Sequence, residues 1–420
     1  MKALADAVTN AKGFMARQKL NYRVAVGRQA MSSFLMNLTA QYDSIYVTGL
    51  GANPVQLGSI SSIASAFGAM LSLPVGWLVD RYSLRKLYAS GVLLTAVGTL
   101  LYGLAPTWHL IVLASIAMVP ASQFLSAGCS VICRDSVANR DRVTAQNTCV
   151  TLASLSSLVA PMIAAALVAH SGGLTTEGIR PLYWIRVIGY LMVFHLVFRW
   201  LQEPSHIRGL HGIKLRDVAA DFRQLLDTGS PLKRWTAVAM LTSIPLAITT
   251  PFMQLYAYEF KGANAVILAA MTTAMILTRL AFGIPLGRLA DRLGRKRLIY
   301  ALTPLWYGAF ILLVLAHDAY MLIGAAALYT FYSISSGAAG AMGLELVPAE
   351  MAGRWHGVLG VLGGVVTIPA PVIGGLIYRH WNPAWVFLLP IVIDLTVRLP
   401  LLATVPETLH RDLRHDGAGR

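Results

Sequence analysis

The 420-residue chain is predicted to be an all-α membrane protein, with twelve transmembrane helices in two six-helix bundles related by a parallel pseudo-twofold repeat. Four observations predict it. Hydrophobic residues make up 56% of the chain and charged residues 13%, with a mean hydropathy of +0.61. A soluble domain carries roughly 25% charged residues. Apolar runs of about 20 residues, each able to cross a bilayer core of roughly 30 Å as a helix, recur along the whole sequence. Basic residues gather in every second connection. Finally, "GANPVQL" at 51–57 returns as "GANAVIL" at 262–268, half a chain later, with five of seven residues identical.

The apolar runs place twelve spans at about 24–49, 55–78, 87–106, 108–132, 144–169, 182–201, 235–258, 265–290, 298–317, 320–344, 355–378 and 383–404. Span 1 is unusually polar. The organisation that follows is an N-terminal segment 1–23, a first bundle 24–202, a linker 203–234, a second bundle 235–405 and a tail 406–420. Within the linker, "KLRDVAADFRQLL" reads as a short amphipathic helix on the membrane surface.

The net charge of +15 is topological. Arg17, Lys19 and Arg23 precede span 1; Arg81, Arg85 and Lys86 lie between spans 2 and 3; Arg140 and Arg142 lie between spans 4 and 5. Six more basic residues from Arg208 to Arg234 fill the linker, and Arg292 to Arg297 follow span 8. The alternate connections hold little beyond Arg180, Lys261 and Arg379. This is the positive-inside pattern, with both termini cytoplasmic in a plasma membrane, the prokaryotic inner membrane. It assigns the basic charge to topology and no nucleic acid partner is expected. The first 23 residues lack the apolar core of a signal peptide.

The three cysteines, Cys129, Cys133 and Cys149, have no zinc or CxxC spacing. Met271 and Met275 read as packing rather than as soft metal ligands. Neither a metal nor a cofactor is expected. No nucleophile–base constellation and no nucleotide loop appears, so the chain is not read as an enzyme.

The repeat extends well beyond one heptapeptide. "GWLVDRYSLRK" at 76–86 aligns with "GRLADRLGRKR" at 287–297, and "APMIAAAL" at 160–167 with "APVIGGLI" at 370–377, at spacings of 211 and 210. Six spans return the chain to its starting side, so the two halves share one orientation.

The doubled G-x-x-x-D-R-x-G-R-K/R loop resembles the signature of the major facilitator superfamily. The second copy is complete in Gly287, Asp291, Arg292, Gly294, Arg295 and Lys296; the first keeps Gly76, Asp80, Arg81 and Arg85 but has Ser83 and Leu84 where the pattern differs. The resemblance implies a secondary transporter working by alternating access, with this loop as a conformational latch. Glycine permits close helix approach, and the aspartate can pair with nearby arginines or face a helix N-terminus. Asp135 and Glu345, ending spans 4 and 10, are expected partners. Span 5 carries Ala164 and Ala165 where the family's antiporters have glycines, and span 4 lacks the intramembrane arginine of many proton-coupled members.

The resemblance also implies that spans 1, 4, 7 and 10 line the cavity, and polar stripes support this independently. Span 1 carries Ser33, Asn37, Gln41, Ser44 and Thr48; span 4 carries Ser115, Ser122, Ser126 and Ser130 beside Gln123. Span 7 offers Ser243, Thr250, Gln254 and Tyr258, and span 10 offers Tyr329, Tyr332, Ser333 and Ser336. A single-face stripe builds a polar path without exposing polar groups to lipid. The competing reading is hydrogen-bonded helix packing.

Two intramembrane charges stand apart, and such charges point by default to function. Asp43 is the candidate for proton coupling. Arg279, 12 residues before Asp291 and hence roughly 18 Å along the helix, resembles the anion-binding arginine of monocarboxylate and oxalate carriers. Neither belongs to the shared scaffold, since Asp43 aligns with Gln254 and Arg279 with Gly68. Asp394 and Arg398, four residues apart on span 12, are expected to neutralise each other on a peripheral helix. His195 reads as packing.

The sequence therefore predicts a secondary active transporter of a small organic solute, anionic or zwitterionic, coupled to protons or another ion, acting as a monomer in the bilayer. Arg279, Asn37, Gln41, Gln123, Gln254, Tyr258, Tyr329, Tyr332 and Ser333 are the expected solute contacts. An efflux pump for amphipathic compounds, a proton antiporter suited to the tyrosines, is the alternative. A static receptor has no use for paired latch loops.

Overall fold

The computed structural model describes residues 18–137, 142–203, 230–345 and 362–407. The expected linker helix, both chain ends and the start of span 11 lie outside the described residues. Every regular element among the described residues is helical. Eleven helices are long and apolar enough to cross a membrane. Span 1, built from Leu20–Thr39 and Asp43–Gly49, is the polar twelfth.

Four spans expected to be continuous are interrupted. Span 1 breaks at 40–42 and span 7 at 250–252, between Ser230–Thr249 and Met253–Lys261. Span 5 divides into Arg142–Ser157 and Ala160–His170, and span 11 turns at Ile368 before Pro369–His380. Proline stands in the first turn of both later segments, as Pro161 and Pro369. There its missing N–H costs nothing to the new helix, while it cannot continue the old one. Pro251 lies in the span 7 break. Span 1 has no proline at its break; Tyr42 stands there, and its hydroxyl donates to the Ala265 carbonyl at 3.0 Å. The breaks of spans 1 and 5 recur in spans 7 and 11, so the repeat extends to irregular backbone.

The repeated "GAN" is a helix stop followed by a helix start. Gly51 and Gly262 adopt φ of 92° and 65°, the left-handed region that closes a helix with no Cβ penalty. Asn53 and Asn264 then accept from the N–H of Gln56 and Ile267, each at 3.0 Å, capping the next span. Gln56 returns a bond to the Asn53 N–H at 2.8 Å, completing a capping box.

Two compact units result. One comprises Met1–Ala40 and Leu73–Gly212; the other comprises Gln41–Ser72 and Ile213–Arg420. In the first, span 3 packs on spans 4 and 6, and span 1 on spans 5 and 6. In the second, span 9 packs on span 10, and span 8 on span 10. The early half of span 2, Pro54 to Ser72, clusters with the second unit, not with the bundle to which its sequence position assigns it. A reciprocal crossing holds it there: a Cβ at Gly58 would fall on the Pro371 carbonyl of span 11, and one at Gly375 on the Pro54 carbonyl of span 2.

Span 12 differs from its expected form. Asp394 and Arg398 do pair, but they are 1% and 3% exposed and lie on a single π-helical turn, Asp394–Arg398. Both carboxylate oxygens are engaged by the guanidinium, one at 3.0 Å. The Tyr307 hydroxyl donates to Asp394, and Thr303 accepts from Arg398 at 3.4 Å. The pair therefore fastens span 12 to span 9 within the protein. Breaking such a pair leaves a buried uncompensated charge and costs about 3–5 kcal/mol. Asp394→Asn should accordingly lower the thermal unfolding midpoint sharply, while Asp394→Leu combined with Arg398→Met should recover most of it. Unchanged stability in Asp394→Asn would contradict this account.

Candidate functional site

The second unit encloses a cavity of about 620 Å³ whose wall comes from spans 2, 7, 10 and 11. Its polar groups are hydroxyls: Ser61 and Ser65 from span 2, Thr242, Ser243 and Thr250 from span 7, Tyr332 and Ser336 from span 10, and Thr367 from span 11. Trp235 and Met240 supply apolar surface, and Gly340 and Gly343 keep one side open. None of the described lining residues is charged. The Tyr332 hydroxyl donates to the Thr242 carbonyl, and its ring meets Trp306 edge-on with centroids 5.1 Å apart. Behind it lies the buried Tyr329, whose ring stacks at 6.3 Å and whose hydroxyl engages the side chains of Thr250 and Thr249.

Four residues of the expected stripes, Ser243, Thr250, Tyr332 and Ser336, meet in this cavity. Gln254 and Gln41 do not line it; both are turned inward, with the Gln41 amide beside the Tyr42 hydroxyl and the Gln254 amide oxygen without a partner among the described residues. Tyr258 is 37% exposed, away from the lining. Asn37 donates its amide to the Ser33 carbonyl at 2.8 Å, and Gln123 is half-buried on span 4. Both belong to the first unit. Ser61, Ser65 and Thr367 were missed. The i, i+4 spacing of Ser61 and Ser65 on one face of span 2 was the available signal.

A second cleft of about 440 Å³ runs between spans 8 and 10. It holds Arg279 and Ser333 together with Gly287, Asp291 and Arg295 of the latch loop. The Arg279 guanidinium donates to the Ser333 hydroxyl at 2.6 Å, and Asp291 faces Arg295 at 3.4 Å. Arg279 thus shares its cleft with the latch, not with the hydroxyl-lined cavity. Asp43 opens the short helix Asp43–Gly49 beside the span 1 break and is half-buried. Gly76, Asp80, Arg81, Asp135 and Glu345 are placed on helices, but their side-chain surroundings lie outside the described residues. Arg292 is exposed.

Two carboxylates absent from the sequence reading complete the latch region. Glu203, just after span 6, accepts from the Ser83 hydroxyl at 2.5 Å and from the Leu84 N–H at 2.7 Å. Glu407, just after span 12, accepts from the Arg295 and Lys296 N–H groups, each at 3.2 Å. Each carboxylate therefore caps the helix that begins the third span of its half. In return, a basic residue of that first turn reaches back to the end of the last span. Arg85 donates to the Phe198 carbonyl and lies 5.1 Å over its ring, while Lys296 donates to the carbonyls of Ala403 and Val405 at 2.9 and 2.6 Å. Unlike charges and helix dipoles are matched at both ends of each pair.

Two further buried cations also escaped notice. Arg28, 4% exposed on span 1, donates to the Tyr88 hydroxyl at 2.9 Å and to Gln29 at 2.7 Å. Arg186, 6% exposed on span 6, donates to Thr39 and lies 5.8 Å from the rings of Tyr183 and Tyr190. The first was lost in a basic N-terminal run and the second in an apolar one.

Paired helical bundles, matched breaks and a solvent-sized cavity among facing spans are the architecture of a membrane transport protein. The sequence profile of the Major Facilitator Superfamily matches residues 27–276 and 235–417, and the chain belongs to that family. It is a family of transporters, not enzymes. The chain is 27% identical over 173 residues to the MFS-type transporter YhjO of Bacillus subtilis, covering 40% of this chain and 42% of that one. It is 31% identical over 129 residues to the MFS-type transporter Rv1877 of Mycobacterium tuberculosis, covering 30% and 18%. The aligned part is thus under half the length of either relative. Among solved structures, it is similar to the nucleoside transporter NupG, with a TM-score of 0.75 and 13% identity over 92% of this chain and 99% of that one. It is also similar to the peptide transporter POT in complex with sulfate, with a TM-score of 0.69 and 14% identity over 91% and 94%.

Removing one helix cap costs about 1 kcal/mol. Glu203→Ala and Glu407→Ala should each lower the unfolding midpoint, and the double variant should show the sum, since the caps lie in separate units. Thermal melts in detergent decide this; two silent single variants would refute the capping role.

Proposed function

We propose that the chain is a secondary active transporter that moves a small organic solute across the plasma membrane by alternating access, coupled to protons, with both termini cytoplasmic and the monomer as the working unit. The observation that carries this reading is the 620 Å³ cavity, walled by hydroxyls, tyrosine and tryptophan on four spans of a transporter fold. Its volume falls in the range of sites for drug-sized ligands. The uncharged lining supports a solute with an uncharged body and so favours an amphipathic compound. At 13–14% identity, the nucleoside and peptide transporters bear on the fold alone.

A second reading rests on Arg279. Its side chain is exposed to the neighbouring cleft and, among the described residues, donates to the neutral Ser333 there, which supports a carboxylate on the solute. A lysine at that position cannot offer the bidentate geometry of guanidinium. Asp43 remains the carboxylate proposed for proton coupling, because it stands at a helix interruption within a span. Discontinuous helices are where many transporters place coupling ions.

Flux into proteoliposomes of neutral amphipaths, carboxylates and amino acids, with and without a pH gradient, tests the proposal. Gradient-driven accumulation of at least one class is expected. Arg279→Lys should weaken carboxylate binding about tenfold or more if the second reading holds; wild-type affinity removes that reading. Asp43→Asn should abolish uphill accumulation and preserve downhill exchange, and continued accumulation would place the coupling elsewhere.

A further inference from the structure

We infer that the hydroxyl-lined cavity is polarised and binds an uncharged amphipath head-first: Ser61, Ser65 and Thr367 hold a hydrogen-bonding head group, and the wall around Trp235 holds the apolar body. This names the solute class of the transporter reading above and rests on it.

The argument is an inventory of protons. Thr242 donates its hydroxyl to the Val238 carbonyl at 2.7 Å, Ser243 to Ala239 at 3.2 Å, and Ser336 to Ser333 at 2.8 Å. Tyr332 donates to Thr242. These four lining hydroxyls are committed to backbone acceptors. Thr250 is engaged by the Tyr329 hydroxyl. Ser61, Ser65 and Thr367 line the same cavity, and among the described residues their hydroxyls meet no hydrogen-bond partner. Each retains one donor and two acceptor sites for a ligand.

The uncommitted hydroxyls are also segregated. Ser61 and Ser65 lie one turn apart in the first half of Pro54–Arg81, and Thr367 lies just before Pro369–His380. Trp235 lies near the start of Ser230–Thr249, and Gly343, near the end of Ala319–Glu345, lies against it. Span 2 runs opposite to span 11, with Pro54 against Gly375 and Ala69 against Gly364, and the span 7 break at Phe252 lies against Gly374. The free hydroxyls therefore gather towards the end of the unit that carries Pro54 and Lys261, and the aromatic, glycine-lined wall towards the other end.

Charge completes the assignment. With no charge among the described lining residues, an ionic head would surrender its hydration without a counter-charge from them. Hydroxyls that both donate and accept match a group that does the same. The head is therefore an alcohol, a glycoside or a primary amide, carried on an aryl or alkyl body.

The test is equilibrium binding to the full chain in lipid nanodiscs of three probes sharing one body: 2-naphthyl β-D-glucopyranoside, 2-naphthoate and (2-naphthylmethyl)trimethylammonium. The neutral glucoside should bind at least about tenfold tighter than either ion. Loss of one hydroxyl should weaken it about threefold to tenfold in Thr367→Val and in Ser61→Ala. Thr367→Ser should retain affinity, and Ser243→Ala and Ser336→Ala should each cost clearly less than Ser61→Ala. Preferential binding of an ion, absence of glucoside binding, or equal losses from Ser336→Ala and Ser61→Ala would each overturn the inference. Gradient-driven flux of 2-naphthoate in proteoliposomes with no glucoside binding would overturn it and leave the transporter reading intact. Tight glucoside binding with no flux of any probe would do the reverse.

Discussion

The cavity exists because two helices approach more closely than side chains allow. Gly58 of span 2 faces the Pro371 carbonyl of span 11, and Gly375 faces the Pro54 carbonyl, so each helix presents a proline and, four residues on, a glycine to the other. Neither glycine needs an unusual φ; each is there for the space a Cβ would take. In lipid there is little hydrophobic drive to bring helices together, and packing of small residues is what remains. The crossing carries Ser61 and Ser65 to a wall otherwise built from spans 7, 10 and 11. Tyr42, bonded across to Ala265, ties the end of span 1 to span 8 in the same unit.

A second constraint acts on every polar group the spans carry. Away from water each must find a partner inside the protein, and most hydroxyls here find one on their own helix, one turn back. That rule makes the exceptions informative. Asp394 and Arg398 answer it with each other, with Tyr307 and with Thr303, and so convert a costly pair of charges into a fastening between spans 9 and 12. The helix ends near the basic loops answer it with Glu203 and Glu407. The hydroxyls of Ser61, Ser65 and Thr367 line the cavity without an answer among the described residues.

How much of this was legible in the sequence depends on the range of the interaction. The fold class followed from apolar runs, and the repeat from three registered segments, because both are written locally. "GAN" was visible as a repeat, and its cap chemistry is local too, since Gly51 and Asn53 act within four residues. The helix interruptions were not read, although Pro161, Pro251 and Pro369 stood in the sequence; an apolar run long enough to span hides a break within it. Glu203 and Glu407 act across 119 and 112 residues, and nothing in their own neighbourhoods announces the partner. The cavity was half legible. Its contributions from spans 7 and 10 appeared as stripes, whereas those from spans 2 and 11 depended on the glycine crossing, which is a property of two helices at once.

The two halves share their scaffold and differ in their charge. Breaks, caps and the basic loops recur at matched positions because they solve problems of backbone geometry that both halves face. Buried charge does not recur. The first half buries Arg28 and Arg186 against tyrosines, and the second buries Asp394 with Arg398 and exposes Arg279 to a cleft. Neither Asp43 nor Arg279 has a charged counterpart at its repeat position. A duplicated scaffold keeps what every copy needs in order to fold, so residues that break the repeat are free of that requirement. The hydroxyls of the cavity fit the same division: Thr250 aligns with Thr39, which in the first half accepts from Arg186, while in the second half its counterpart lines the cavity and is engaged by Tyr329. One position, common to both halves, meets a cation in the first and a neutral phenol in the second, so the scaffold is kept while the charge set beside it is not.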